Sequence, residues 1–267
     1  MVSLPGPQTH LEDGPEGPLE VFATGRGEPV TVYAHGLAGS ITSTRPFATG
    51  VVGGSVFLHQ RGHGRSLAPD GGWDYGHLAA DLLAVADRHG ATRALGLSMG
   101  AGAITRILAE QPDRFERAVL VIPAVIDATR EDAALRRMER MAALVEAGDA
   151  DALEAWLLAD QPAAVRDQPA VRAFCRQQAE ALLGTGAATA LRALPGAHPI
   201  DDRAALAAVS APVLVIGQED DDAHPASVAR GLGEALGNAT VEVLPPGGLI
   251  WAHRQRVREL VTGFLNA

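Results

Sequence analysis

The residues best suited to chemistry are those of the G-x-S-x-G motif at residues 96–100, with Ser98 at its centre. An apolar run precedes the motif and small residues follow it, so the spacing predicts a strand before Ser98 and a helix after it. A sharp strand-to-helix turn needs glycines because they lack the Cβ atoms that would clash there. A serine in that position exposes its hydroxyl beside the free N–H groups of the helix. The motif therefore makes the Ser98 hydroxyl a candidate reactive group.

Elements on both sides of this motif alternate between short apolar runs and longer helical patterns. Several runs are continuously apolar, as at residues 213–216, which is typical of parallel strands buried on both faces. The expected strands are Leu19–Ala23, Val30–Ala34, Ser55–Leu58, Ala94–Leu97, Ala118–Ile122, Pro212–Ile216 and Thr240–Leu244. The expected helices are His77–Arg88, Met99–Glu110, Arg203–Ala208, Pro225–Leu236 and Arg254–Leu265. The pattern predicts an α/β fold with a mostly parallel central sheet.

The alternation stops between residues 124 and 202, where the sequence is rich in Ala, Leu, Arg and Glu and gives no strand signal. We interpret this segment as an insertion of three or four helices, the clearest of them at Glu131–Ala147, where apolar residues recur at helical spacing. The predicted domains are a core formed by residues 1–123 and 203–267 and a helical cap formed by residues 124–202.

Composition excludes several function classes. The chain has 267 residues, 47% of them hydrophobic, and a net charge of −10. This charge disfavours nucleic acid, and polybasic clusters that would bind an anionic membrane are absent from the sequence. There is no lysine, one cysteine and no spacing of metal ligands. The first residues do not resemble a secretory signal, so a cytoplasmic location is expected; the oligomeric state stays open.

Two further segments accompany the serine motif. The sequence His35-Gly36-Leu37 follows one expected strand, and R-G-H-G-R-S at residues 61–66 follows the next. Together with G-x-S-x-G, in this order, they resemble the α/β-hydrolase superfamily, in which a helical cap lies between the sixth and seventh core strands. The resemblance implies that Ser98 is the nucleophile and that the backbone N–H groups of Leu37 and Met99 form an oxyanion hole. It implies hydrolysis of a small, largely apolar ester, lactone or related carbonyl compound, with no cofactor.

The resemblance places the acid of the catalytic triad after the strand at residues 212–216. Counting back from Pro225 selects Asp221, whereas counting forward from Gly217 selects Asp220. We choose Asp221 and keep Asp220 as the alternative.

The base expected by the resemblance is missing from its usual place. The family carries a Gly-His pair before the last helix, but Gly248 is followed by Leu249, which cannot accept a proton. Three explanations stay open: His253 reaches back to Ser98, the protein has abandoned hydrolysis, or residue 249 is an introduced substitution. We take His253 as the provisional base and expect the chain to be impaired.

The other histidines receive mostly structural interpretations. His35 and His63 are expected to support their loops, and His224 is interpreted as a surface residue of the acidic turn. His59 and His198 are less favoured candidates for the pocket. The alternative to hydrolysis is a lyase, a cyclase or a protein that binds a hydrophobic small molecule on the same fold.

Overall fold

A computed structural model describes residues 7–129 and 133–267, which contain one eight-stranded sheet. The strands follow the order β1-β2-β4-β3-β5-β6-β7-β8; β1 and β2 are antiparallel to their neighbours and the others pair in parallel. Their bounds are β1 His10–Asp13, β2 Pro18–Gly25, β3 Val30–Ala34, β4 Gly54–Leu58, β5 Ala91–Leu97, β6 Arg117–Val121, β7 Val213–Gln218 and β8 Ala239–Leu244. The predicted α/β class with a mostly parallel sheet is confirmed.

The central strands are buried on both faces, as their continuous apolar sequences predict. In β7, Val213 and Val215 belong to one hydrophobic cluster, whereas Leu214 and Ile216 belong to the cluster on the opposite face. The sequence reading did not predict β1, because this short edge strand is mostly exposed and lacks a run of apolar residues.

Helices cover both faces of the sheet and also form the segment between β6 and β7. The α-helices are α1 Ile41–Thr44, α2 Tyr75–Arg88, α3 Met99–Glu110, α4 Ala133–Ala147, α5 Ala150–Ala159, α6 Pro169–Leu182, α7 Ala187–Ala193, α8 Ala226–Ala235 and α9 Arg254–Leu265. Short 3₁₀ helices are formed by Arg45–Ala48, Leu194–Gly196 and Arg203–Ala208, and Gly248–Ala252 form a π-helical turn. Arg203–Ala208, expected as a helix, is thus of the tighter 3₁₀ type. None of the helices in the described ranges is long and apolar enough to cross a membrane.

The inserted helices, α4 to α7, have a hydrophobic cluster of their own, which includes Leu153, Val171 and Leu191. This cluster also contains Ala38, from the loop after β3, so the inserted helices pack over the carboxyl end of that strand. The start of the helix predicted at Glu131–Ala147 lies outside the described residues. The division of the chain into a core and a cap stays a prediction.

Candidate active site

Ser98 lies at the turn between β5 and α3, in the strained backbone conformation that the motif predicts. Its φ is 48° and its ψ is −108°, values that a residue with a side chain seldom adopts. Its N–H donates to the carbonyl of Val121, and its own carbonyl accepts from Gly102, so the turn is held from both sides. The predicted strand–serine–helix context of Ser98 is confirmed.

The glycines of the motif are required by close packing of the backbone. A Cβ on Gly96 would lie 2.3 Å from the carbonyl oxygen of Gly100, and a Cβ on Gly100 would lie 2.4 Å from the carbonyl oxygen of Ala34. Both distances are well inside van der Waals contact, so a larger residue would push α3 away from the sheet. The glycines therefore fix the position of the Ser98 hydroxyl.

The structure brings His224 to the serine hydroxyl, although the sequence reading assigned this residue to the surface. His224 Nε2 lies 2.9 Å from Ser98 Oγ, and its Nδ1 lies 3.1 Å from Asp221 Oδ2. The connection between β7 and α8 supplies both side chains. The interpretation of His224 as a surface residue is wrong, because the turn that begins at Asp221 directs its imidazole back over the carboxyl edge of the sheet.

His253, the provisional base, does not approach Ser98. Its Nε2 lies 3.3 Å from the carbonyl oxygen of Pro246, beside the π-helical turn, and its backbone begins α9. The side chain of Leu249 is buried in the hydrophobic cluster on the α9 face of the sheet. The connection between β8 and α9 thus supplies no imidazole to the serine, and His224 corrects the expectation for His253.

Asp221 is hydrogen-bonded within its own turn. Its Oδ1 accepts from the backbone N–H groups of Ala223 and His224, each at 3.0 Å. Partial burial raises the pKa of Asp221, but the hydrogen bonds and the charge interaction with His224 and the bond from Ala223 outweigh it, so the pKa lies below its ordinary value. The carboxylate is therefore ionised at neutral pH and orients the imidazole.

The choice of Asp221 over Asp220 agrees with this geometry. Asp220 has a left-handed backbone, with a φ of 55°, and forms the bend that follows β7. The β8–α9 connection, where Leu249 lies, is instead tied to β7 through Gln218, whose Oε1 accepts from the N–H of Gly248 at 3.0 Å.

A small cavity of about 30 Å³ lies next to Ser98. Leu37 and Met99 line it together with the serine, so both residues expected to form an oxyanion hole are at the site. Met99 is the first residue of α3, where backbone N–H groups have no partner inside the helix. The other lining residues are Tyr75, Ala124, Val125, Met138, Leu194, Pro195 and Ala197.

Buried histidines hold the loop that carries Leu37. His63 Nε2 accepts from the N–H of Ala38 at 3.1 Å, and His35 Nε2 accepts from the N–H of Gln60 at 3.0 Å. Burial lowers the pKa of His63 to about 4 and that of His35 well below its usual value, so both rings are neutral acceptors at neutral pH. These contacts agree with the structural interpretation of both residues.

The remaining histidine candidates are engaged elsewhere. His59 Nδ1 lies 2.8 Å from Glu20 Oε2, and His198 Nδ1 lies 2.9 Å from the carbonyl oxygen of Ile200. Neither residue lines the cavity at Ser98. The described residues contain no cluster of three or more His, Cys, Asp or Glu side chains that could hold a metal ion.

The family model described as serine aminopeptidase, S33, matches residues 26–246. Among solved structures, a hydrolase from Pseudomonas aeruginosa PA01 is 25% identical, with a TM-score of 0.77 over 97% of this chain and 98% of that one. The enol-lactonase from Burkholderia xenovorans LB400 is 23% identical, with a TM-score of 0.78 over 97% and 100%. An esterase from Exiguobacterium antarcticum is 17% identical, with the same TM-score and coverage. The last two likenesses concern the fold alone.

Proposed function

The chain belongs to the serine aminopeptidase, S33, family of α/β-hydrolase-fold enzymes, and from this premise we propose that it hydrolyses small, largely apolar esters or lactones through Ser98. The observation that carries the proposal is the continuous hydrogen-bonded series from Ser98 Oγ through the His224 ring to the Asp221 carboxylate. These distances match direct proton transfer without an intervening water.

In this mechanism His224 Nε2 removes the proton of Ser98 as its Oγ attacks the carbonyl carbon. Asp221 accepts from Nδ1–H, selects the tautomer with a free Nε2 lone pair and stabilises the imidazolium that forms. The backbone N–H groups of Leu37 and Met99 donate to the oxyanion. His224 then protonates the leaving alcohol, and water activated by the same ring hydrolyses the acyl-enzyme.

The presence of His224 removes the reason to expect an impaired enzyme. A serine hydroxyl without a base is a poor nucleophile, and Leu249 suggested that the base was missing. With a base supplied by the β7–α8 connection, Leu249 serves in the hydrophobic core instead. The chain is therefore proposed to be active as it stands.

The cavity at Ser98 indicates which substrates fit. Its volume of about 30 Å³ suits a short acyl group, and its walls are mainly apolar. A peptide with a free amino terminus would need an acidic side chain to hold its ammonium group, and no Asp or Glu is found among the described residues that line this cavity. Short neutral esters are therefore favoured over peptides.

A fluorophosphonate probe tests this proposal, because it reacts with an activated serine. We expect one label per chain in the unmodified protein and none in Ser98→Ala, together with faster hydrolysis of p-nitrophenyl acetate than of p-nitrophenyl octanoate. A folded protein that takes up no label and hydrolyses neither ester would overturn the proposal and favour a non-hydrolytic role for the fold.

A further inference from the structure

A second cavity, much larger than the one at Ser98, lies on the opposite side of the loop that carries Leu37. Its volume is about 660 Å³, within the range of small-molecule binding sites. It shares no lining residue with the cavity at Ser98. The walls come from the β3–α1 connection, α6 of the inserted helices, the π-helical turn and α9.

One wall of this cavity is apolar and rigidly held. Phe174 of α6 packs edge-on against Trp251, with ring centroids 5.5 Å apart. The indole N–H of Trp251 donates to Gln161 Oε1 at 2.8 Å, which fixes the orientation of the ring. Phe47 and Ile250 extend the apolar surface. Such a wall suits a hydrocarbon chain or a ring.

Two positively charged side chains also line this cavity. Arg254 and Arg258 line the cavity from successive turns of α9, and no Asp or Glu accompanies them among its lining residues. In the described part of the chain, no salt bridge joins either arginine to an acidic group within 4 Å. By contrast, Arg256 on another face of α9 pairs with Glu242 at 3.3 Å. Among the described residues, neither guanidinium has an ion-pair partner, in a protein whose net charge is −10.

From the apolar wall, the two neighbouring arginines and the separation from Ser98, we infer that this cavity binds a small amphipathic monocarboxylate, with its chain on Trp251 and its carboxylate at Arg254 and Arg258. Guanidinium groups bind carboxylates with hydrogen bonds as well as charge. A neutral molecule of the same shape would gain only the apolar contacts.

The bound molecule would lie close to the loop between β3 and α1. Ser40 and Gln178 line the cavity, and Gln178 Nε2 donates to the carbonyl of Ala38 at 3.1 Å. Leu37 precedes Ala38 and lines the other cavity, so this loop borders both cavities. The site is nevertheless distinct, since the arginines do not reach the catalytic serine's cavity.

Titration with sodium octanoate, at concentrations below those at which it forms micelles, tests the inference. Binding is followed by calorimetry and by the intrinsic tryptophan fluorescence, to which Trp251 contributes. We expect saturable binding to the unmodified protein, and binding at least about tenfold weaker in the double variant Arg254→Gln/Arg258→Gln, because two charge-assisted contacts are lost. Octan-1-ol should bind equally to both proteins. Arg256→Gln is the matched control: it removes one charge from the same helix outside the cavity and should leave octanoate binding within about twofold.

Three results would overturn the inference: no saturable binding of octanoate, equal weakening by Arg256→Gln and by the double variant, or binding that neither change affects. The last would place the octanoate elsewhere, as at Ser98. The substitutions are on an exposed helix face, and circular dichroism verifies that each variant is folded. Ester hydrolysis measured in parallel keeps this test separate from the proposed function, since either can fail alone.

Discussion

Replacing His224 with alanine removes the imidazole that lies 2.9 Å from Ser98 Oγ. Because this contact is direct, the substitution leaves the hydroxyl with no side chain positioned to take its proton. Removing the base of a serine hydrolase costs on the order of 10⁶ in kcat. That factor corresponds to about 8 kcal/mol of lost transition-state stabilisation, since each tenfold change is worth about 1.4 kcal/mol. The KM should change little, because His224 does not line the cavity at Ser98.

The assay is hydrolysis of p-nitrophenyl acetate, with fluorophosphonate labelling as a second readout. His253→Ala is the control, because that imidazole lies 3.3 Å from the carbonyl oxygen of Pro246, away from Ser98, and should be dispensable. Leu249→His should add nothing to the unmodified protein, since a base is already in place. If His224→Ala keeps activity within tenfold of the unmodified protein while His253→Ala loses it, the reasoning fails and the base is His253.

Three further predictions concern the framework of the site. Gly100→Ala should lower the free energy of unfolding by at least about 1–3 kcal/mol, measured by urea denaturation, because its Cβ would lie 2.4 Å from the carbonyl oxygen of Ala34. Asp81→Asn should cost about 1.5–3 kcal/mol in the same assay, because it removes the buried carboxylate whose Oδ2 accepts from Arg61 Nε at 2.7 Å and leaves the guanidinium with the half-exposed carboxylate of Glu16 at 2.8 Å. Burial alone would raise the pKa of Glu20. Hydrogen bonds to its carboxylate, including one from Arg65, have the larger effect and lower the pKa to about 2. The ionised Glu20 therefore stabilises the folded protein fully above pH 4.5, and this stabilisation is lost as the pH falls towards 2. In Glu20→Gln, the midpoint of unfolding should depend less on pH over this acidic range. An unchanged pH dependence would refute the prediction.

Much of the fold could be predicted because a strand buried on both faces of a sheet has a continuous run of apolar residues. The strand at Val30–Ala34 has the predicted bounds, and the apolar run at residues 213–216 lies within β7. β1 has no such apolar run, since it pairs with β2 at an exposed edge of the sheet. The helix at Met99–Glu110 was predictable because the serine motif fixes where it begins.

The site was predictable where local geometry decides it. The positive φ of Ser98 follows from a motif of five residues. The pairing of Asp221 with His224 is also local: a carboxylate that accepts from the N–H groups two and three residues ahead brings the third residue's side chain beside it. This Asp-x-x-His spacing is the sequence signal that could have identified His224. It was missed because the resemblance predicts the base at the position after Gly248.

The contact between His224 and Ser98 could not be read in the same way, because it depends on the order of the strands. β7 lies two strands from β5, with β6 between them, so the connections after β5 and β7 start about 10 Å apart at the same edge of the sheet. A histidine near the end of β7 can span this distance. In the usual arrangement of this superfamily the base follows β8 and the acid follows β7. Two separate connections must then place their side chains within hydrogen-bonding distance of each other. Here a single turn positions both the proposed acid and the proposed base, and a substitution that disturbs the turn at Asp221 would displace the two side chains together.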